Sequence, residues 1–216
     1  MQRITAVVNL KGGVGKSTLT VSLGIALWQE GRRVLLVDAD PQGTLRTWAA
    51  RAAARDLEGP PVVAIEGRAL RRDLPMVAEG FDVVLVDTPP RLGLEARSAM
   101  MAADALLLPV TPGAADVWAL EETLGVYGEA RALRPELGAH VVLNRCDRTT
   151  LTGLAEKALT ELGVAMLPPV RQRVAFGEAM LAGEGVGTYA PGSDAALDVR
   201  RLARSLGVSS RLEAAS

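Results

Sequence analysis

One cysteine, Cys146, stands in a chain of 216 residues. A lone thiol can build neither an intramolecular disulfide nor a thiolate metal site of the two-plus-two kind, so a buried, inert thiol is expected. Long apolar runs are missing too. Stretches such as VVLVD and ALLLPV fall far short of the roughly 20 residues that a membrane-spanning helix needs. The N-terminus opens directly on a strand-like block with no secretory leader pattern, so a cytoplasmic protein is expected. Nor is there an excess of either charge: 24 Lys and Arg against 25 Asp and Glu leave a formal charge of −1. Such a balance exerts no global pull on nucleic acid, so any DNA binding must come from a local cluster of arginines. Repeats, low-complexity tracts and linkers are also absent. Residues 1–207 therefore read as one domain, and residues 208–216, at the end of GVSSRLEAAS, as a flexible tail without the amphipathic pattern that a membrane surface would require.

Hydrophobic residues make up 49% of the chain and the mean hydropathy is +0.19, mostly as Ala, Val and Leu in short blocks. Those blocks are ITAVVN, RVLLVD, VVAI, DVVLVD, ALLLPV, HVVLN and the weaker VAML, and helix-periodic segments lie between them. Alternation of this kind specifies an α/β fold with a mostly parallel, twisted β-sheet flanked by helices on both faces. Leu45, Trp48, Ala49 and Ala52 share one helical face that should dock on the sheet. Turn residues punctuate the pattern at Gly12, Gly13 and Gly15, at Pro41 to Gly43, at Pro89 and Pro90, and at Pro168 and Pro169.

The first block runs into LKGGVGKST and then into a helical segment, Leu19 to Glu30. Strand, glycine-rich loop and helix in that order form a phosphate cradle. Glycines let backbone N–H groups converge on phosphate oxygens, and the helix N-terminus adds its partial positive charge. Gly12, Gly13, Val14, Gly15, Lys16, Ser17 and Thr18 are thus the candidate nucleotide-binding loop. Lys16 should reach the β- and γ-phosphates, and Ser17 should ligate Mg²⁺. The usual first glycine of the P-loop pattern is replaced by Leu10, and an additional lysine, Lys11, precedes Gly12.

That extra lysine makes KGGVGKST resemble the deviant Walker A motif of the ParA and MinD group of P-loop NTPases. The resemblance covers Ile4 to about Phe176 and implies an Mg²⁺-dependent ATPase that dimerises around ATP, with Lys11 crossing the interface to the partner's phosphates. The second block ends in VDADPQG, placing Asp38 and Asp40 beyond a strand end, where ligands bind in open α/β sheets. The same positions also suit helix capping or an Asx turn. Resemblance assigns Asp40 to preparing the attacking water and Asp38 to the neighbourhood of Mg²⁺. FDVVLVDTPP ends in Asp87, a Walker B pattern for holding the metal, and the resemblance makes Thr88, Pro89 and Pro90 a loop sensing the γ-phosphate.

After HVVLN, Asn144 and Arg145 are placed for the nucleotide base, since an amide both donates to and accepts from the adenine edge. NRCD replaces the guanine-specific N-K-x-D signature, which favours ATP. LPPVRQRVAF is expected to follow the last strand as a loop closing over adenine. Arg200, Arg201 and Arg204 lie opposite an apolar stripe of Ala196, Val199, Leu202, Ala203 and Leu206, and with Arg171 and Arg173 they are candidate DNA-binding residues. Arginines opposite such a stripe are equally an ordinary solvated face.

With the chain starting at the P-loop strand, the resemblance is to the short ParA type. It implies ATP-dependent homodimerisation, binding to non-specific DNA on the nucleoid, and stimulation of hydrolysis by a ParB-like or centromere-binding adaptor. No membrane partner is expected. The competing readings are a MinD-type positioning ATPase, a metal-cluster carrier of the nitrogenase-reductase kind, and a ligase of the dethiobiotin synthetase type.

Overall fold

The computed structural model of the protein describes residues 3–91 and 93–213. Seven strands coincide with the seven apolar blocks: β1 (Arg3–Val7), β2 (Val34–Asp38), β3 (Val62–Ala64), β4 (Val83–Asp87), β5 (Ala105–Val110), β6 (Gly138–Cys146) and β7 (Ala165–Arg171). They form one sheet in the order β3-β2-β4-β1-β5-β6-β7, and every pairing is parallel. The connecting helices are α1 (Lys16–Gln29), α2 (Thr44–Ala53), α3 (Ala69–Val77), α4 (Leu94–Ala102), α5 (Ala114–Leu133), α6 (Thr150–Glu161), α7 (Val174–Ala182), α8 (Val186–Tyr189) and α9 (Asp194–Glu213).

Successive side chains along each strand alternate between two cores. Leu35 and Val37 of β2 join one core and Val34 and Leu36 the other, while β5 sends Leu106, Leu108 and Val110 to the first and Leu107 to the second. Because both faces are covered, the strands read in sequence as unbroken apolar runs instead of alternating ones. Helices α3 to α6 close the first core, and α1, α2, α8 and α9 close the second. Close packing holds α1 to the sheet: a Cβ on Gly24 would stand 2.6 Å from Leu36 Cδ2.

Three boundaries differ from those the sequence suggests. Helix α1 starts at Lys16, three residues before the apolar pattern, because the phosphate loop itself supplies the first turn. Strand β7 runs to Arg171, so Leu167 to Arg171 are strand and the expected loop shrinks to Gln172 and Arg173. Pro168 and Pro169 fit there because β7 is an edge strand whose register shifts at that point: Val142 pairs with Leu167, but Asn144 pairs with Val170. A bulged edge tolerates residues without an N–H. Helix α9 continues to Glu213, so the backbone of residues 208–213 is helical where a tail was expected, and residues 214–216 lie outside the described residues.

Leu45 and Trp48 of α2 are buried as the periodicity requires, and α2 is tied to the end of α7. Trp48 Nε1 donates to the Glu184 carbonyl (3.1 Å), Arg51 Nη1 to the Leu181 carbonyl (3.3 Å), and Arg55 Nη1 to the Ala182 carbonyl. Gly183 makes this approach possible. Its φ is +74°, and a Cβ there would lie 2.6 Å from the backbone nitrogen of Ala52. Gly183→Ala should therefore lower unfolding stability by roughly 2–3 kcal/mol in urea titration, through a left-handed φ and a collision with a backbone that cannot rotate away. A change under about 0.5 kcal/mol, the usual range for a neutral surface substitution, would show that α2 and α7 are not packed this closely.

Candidate functional site

β1 lies between β4 and β5, and the chain builds the β2 and β4 side before crossing to β5. At such a reversal the connections leave the strand ends in opposite directions, opening a crevice at the carboxyl edge of the sheet. The loop from Val8 to Gly15 occupies it. Asn9, almost fully buried, fixes the loop's entry: its Nδ2 donates to the Pro109 carbonyl (2.7 Å) and its Oδ1 accepts from Lys11 N (2.8 Å). Gly13 and Gly15 have φ of +82° and +92°, and a Cβ on Gly15 would lie 2.4 Å from Asn144 Nδ2. No acidic side chain stands in the first turn of α1, so its free N–H groups and partial positive charge remain available to an anion.

Lys16 is buried, with Nζ donating to the carbonyls of Asn9 (3.1 Å) and Lys11 (3.3 Å). Desolvation pulls its pKa below the ordinary lysine value, and the nearby charges of Asp87 and Asp40 act in the opposite direction. Asp87 is fully buried at the end of β4, and neither carboxylate oxygen completes a hydrogen bond among the described residues. Burial raises its pKa to about 7, while the Ser17 hydroxyl and the Lys16 charge pull it back down. A buried carboxylate left without donors, beside a serine hydroxyl and a phosphate cradle, is a fitting donor set for a divalent cation.

Asp38 and Asp40 are differently employed. Asp38 is fully buried, its Oδ1 accepting from Asp40 N (3.2 Å) and its Oδ2 from Arg46 N (3.0 Å). It thus caps the first turn of α2, the structural alternative that the sequence left open for it. Asp40, also buried, accepts from Gln42 N through Oδ1 (3.0 Å). The Thr88 hydroxyl donates to the Val7 carbonyl (2.7 Å), and Pro90 packs beside Gly12, fastening the end of β4 to the phosphate loop.

Lys11 forms an ion pair with Asp116 in the first turn of α5, and Asp116 also accepts from the Thr111 hydroxyl. At the other end of the site, Asn144 and Arg145 fall inside β6 instead of after it. Asn144 Nδ2 donates to the Val14 carbonyl (2.7 Å), and Arg145 has a left-handed φ of +53°. Together with Gly15, Thr18, Arg171 and Phe176 they line a cavity of about 190 Å³.

The five arginines proposed from the sequence separate into two groups. Arg171 and Arg173 belong to the cavity wall, and Arg173 is already paired with Asp194 (3.3 Å) and Asp198 (3.7 Å). Arg201 and Arg204 are exposed on α9, and Arg200 Nη1 donates to the Pro191 carbonyl (3.2 Å). Sequence reasoning missed Asn9, Arg46 and Asp116. Only Asp116 carried a usable sign, as an acid in the helix that follows the apolar block ALLLPV. Among the described residues no helix is long and apolar enough to cross a membrane.

Residues 5–186 match the family model for the CobQ/CobB/MinD/ParA nucleotide binding domain. The chain is 35% identical over 191 residues, 87% of each chain, to the maintenance of carboxysome distribution protein A of Halothiobacillus neapolitanus. It is 30% identical to the chromosome-partitioning ATPase Soj of Thermus thermophilus, over 93% of this chain and 94% of that one. The crystal structure of the cell division ATPase MinD of Pyrococcus furiosus superposes with a TM-score of 0.77 at 26% identity, covering 96% and 99% of the two chains.

The state of Asp87 makes a prediction. With its folded pKa near 7 and an unfolded value of 3.8, the folded chain retains a proton that the unfolded chain has lost throughout that interval. Its contribution to stability is therefore fully present below about pH 4 and lost as pH rises through about 7. Nucleotide-free Asp87→Asn should melt several degrees above wild type at pH 8, with the gap narrowing at pH 5 and closing below about pH 4. Parallel pH profiles would show that the carboxylate carries no burial penalty.

Proposed function

Because the chain belongs to the CobQ/CobB/MinD/ParA nucleotide-binding family, we propose that it is a partitioning or positioning ATPase whose nucleotide state decides its partners. It binds ATP with Mg²⁺, forms a homodimer with nucleotide at the interface, binds non-specific DNA in that state, and hydrolyses ATP at a rate that an adaptor protein stimulates. The observation that carries this reading is the buried Lys16 ammonium in a glycine loop, facing the fully buried Asp87 carboxylate and Asp40.

On this reading Lys16 and the N–H groups of Gly13 to Thr18 hold the phosphates, and Ser17 and Asp87 would hold Mg²⁺, which would supply charge neutralisation to the phosphates. Asp40 accepts a hydrogen bond from the attacking water and orients it. Lys11 leaves Asp116 to reach the partner's phosphates, where a second cation favours the charge that builds up in phosphoryl transfer. Asn144 turns its amide from Val14 to the adenine edge, with the Arg145 and Arg171 cavity closing around the base. Arg200, Arg201 and Arg204 meet DNA phosphates, and the protein works in the cytoplasm on the nucleoid. Similarity to a carboxysome distribution protein as well as to a chromosome-partitioning ATPase supports either a protein assembly or DNA as cargo.

Light scattering with ATP and Mg²⁺ should give a dimer that binds duplex DNA, with affinity falling steeply between low and moderate salt. Asp40→Ala should remain an ATP-bound dimer, and Lys16→Ala should lose nucleotide binding. A chain that stays monomeric with ATP, or an Asp40→Ala variant that hydrolyses ATP at the wild-type rate, overturns the cycle. A dimer indifferent to DNA keeps the ATPase reading and moves the target to a membrane or protein surface.

A further inference from the structure

Arg46, in the first turn of α2, occupies a position that helix physics disfavours. A cation at a helix N-terminus opposes the macrodipole, and no acidic residue of that turn offsets it. The guanidinium is instead spread over the loop that carries Asp40. Its Nη2 lies 3.3 Å from the Asp40 carbonyl, 3.4 Å from the Pro41 carbonyl and 3.2 Å from Glu66 Oε1 just beyond β3. Its Nε lies 3.5 Å from Asp38 Oδ2, and its own backbone N–H donates to the same oxygen. Gly43 completes the seat: a Cβ there would stand 3.1 to 3.2 Å from three guanidinium atoms, and its φ is +67°. Arginine's planar fork can share its hydrogens among acceptors on both sides of the loop, and an ammonium cannot reproduce that geometry.

We propose that Arg46 is a positioning residue for hydrolysis: its guanidinium clamps the carbonyls of Asp40 and Pro41 between Asp38 and Glu66 and so fixes the direction of the Asp40 carboxylate. This inference rests on the ATPase reading above and adds to it a residue that touches neither nucleotide nor metal. The clamp acts on the loop that carries Asp40 and, among the described residues, makes no hydrogen bond to the phosphate loop, so on the ATPase reading its removal affects turnover and not nucleotide capture.

Arg46→Ala, Arg46→Lys and Glu66→Gln should be compared with wild type in Mg²⁺-ATP affinity and single-turnover hydrolysis, each with a melting curve. Arg46→Ala should bind ATP within about twofold of wild type and hydrolyse it about tenfold more slowly, the pattern of an interaction that matters only in the transition state. Arg46→Lys should stay slow, and Glu66→Gln, which weakens one arm of the clamp, should slow hydrolysis about two- to threefold with unchanged affinity. Wild-type turnover in Arg46→Ala, full rescue by lysine, or a loss confined to affinity overturns the positioning role while the ATPase reading stands. If Arg46→Ala fails to fold, the lysine and Glu66→Gln variants decide by the same criteria. If the wild-type protein turns over no ATP, the ATPase reading itself falls and the inference falls with it.

Discussion

The Lys16 ammonium donates to two carbonyls of its own loop and faces Asp87 and Asp40 across the carboxyl edge of the sheet, and that one buried charge constrains everything around it. A desolvated ammonium is tolerated only where lone pairs and opposite charge replace water. The loop must therefore wrap the side chain, which it does because Gly13 and Gly15 adopt positive φ and because Asn9 pins the turn at its start. The same arrangement leaves Asp87 with less compensation than it needs, since Lys16 satisfies itself on carbonyls and the only other help is the serine hydroxyl. A site in which the cation is fully bonded and the anion is under-compensated is poised to take up a further cation together with an anion, which is the charge pattern of a magnesium nucleotide.

From there the constraint extends along α2. The Asp38–Gln42 loop leads into this helix, whose far end is held by Trp48, Arg51 and Arg55 against the residues following α7. Helix α7 begins two residues after β7, at the wall of the cavity lined by Asn144 and Arg145. The Asp40 loop and the cavity lined by Asn144 and Arg145 are thus joined through α2 as well as by the phosphate loop itself. Asp198 extends the connection to α9, accepting from Arg171 N (3.3 Å) and pairing with Arg173. A contiguous run of packed contacts therefore reaches from the Asp40 loop to the arginine-bearing helix, and on the proposed cycle that is the physical requirement for the nucleotide to influence a surface it does not touch.

Much of this was legible in the sequence, because parallel strands buried on both faces and a glycine loop between strand and helix leave local signatures. All seven strands, the phosphate loop, Asp87 and the Asp40 loop could be placed from patterns a few residues long. What escaped depends on contacts between segments far apart in the chain. Asp116 follows Lys11 by 105 positions, Arg46 gains its meaning from Asp38 and Glu66 together, and Arg173 is neutralised by acids on α9. Pro168 and Pro169 misled for a related reason: proline ends a strand only where its missing N–H is needed, and an edge strand with a shifted register does not need it.

The pairing of Arg173 also bears on how a chain of net charge −1 can use DNA. With Arg173 held by Asp194 and Asp198, and Arg171 turned to the cavity, only Arg200, Arg201 and Arg204 remain of the expected basic patch. Three phosphate contacts give weak binding, since the counterion-release term scales with the number of phosphates neutralised. Two such patches fixed in one dimer double that number and make the second engagement intramolecular, which raises the overall affinity far more than twofold. On the proposed cycle, a sparse patch is then an advantage. In that cycle the monomer, with Lys11 held by Asp116, would have too few arginines to stay on the nucleoid, and dimerisation on ATP would supply affinity without any new residue contacting the DNA.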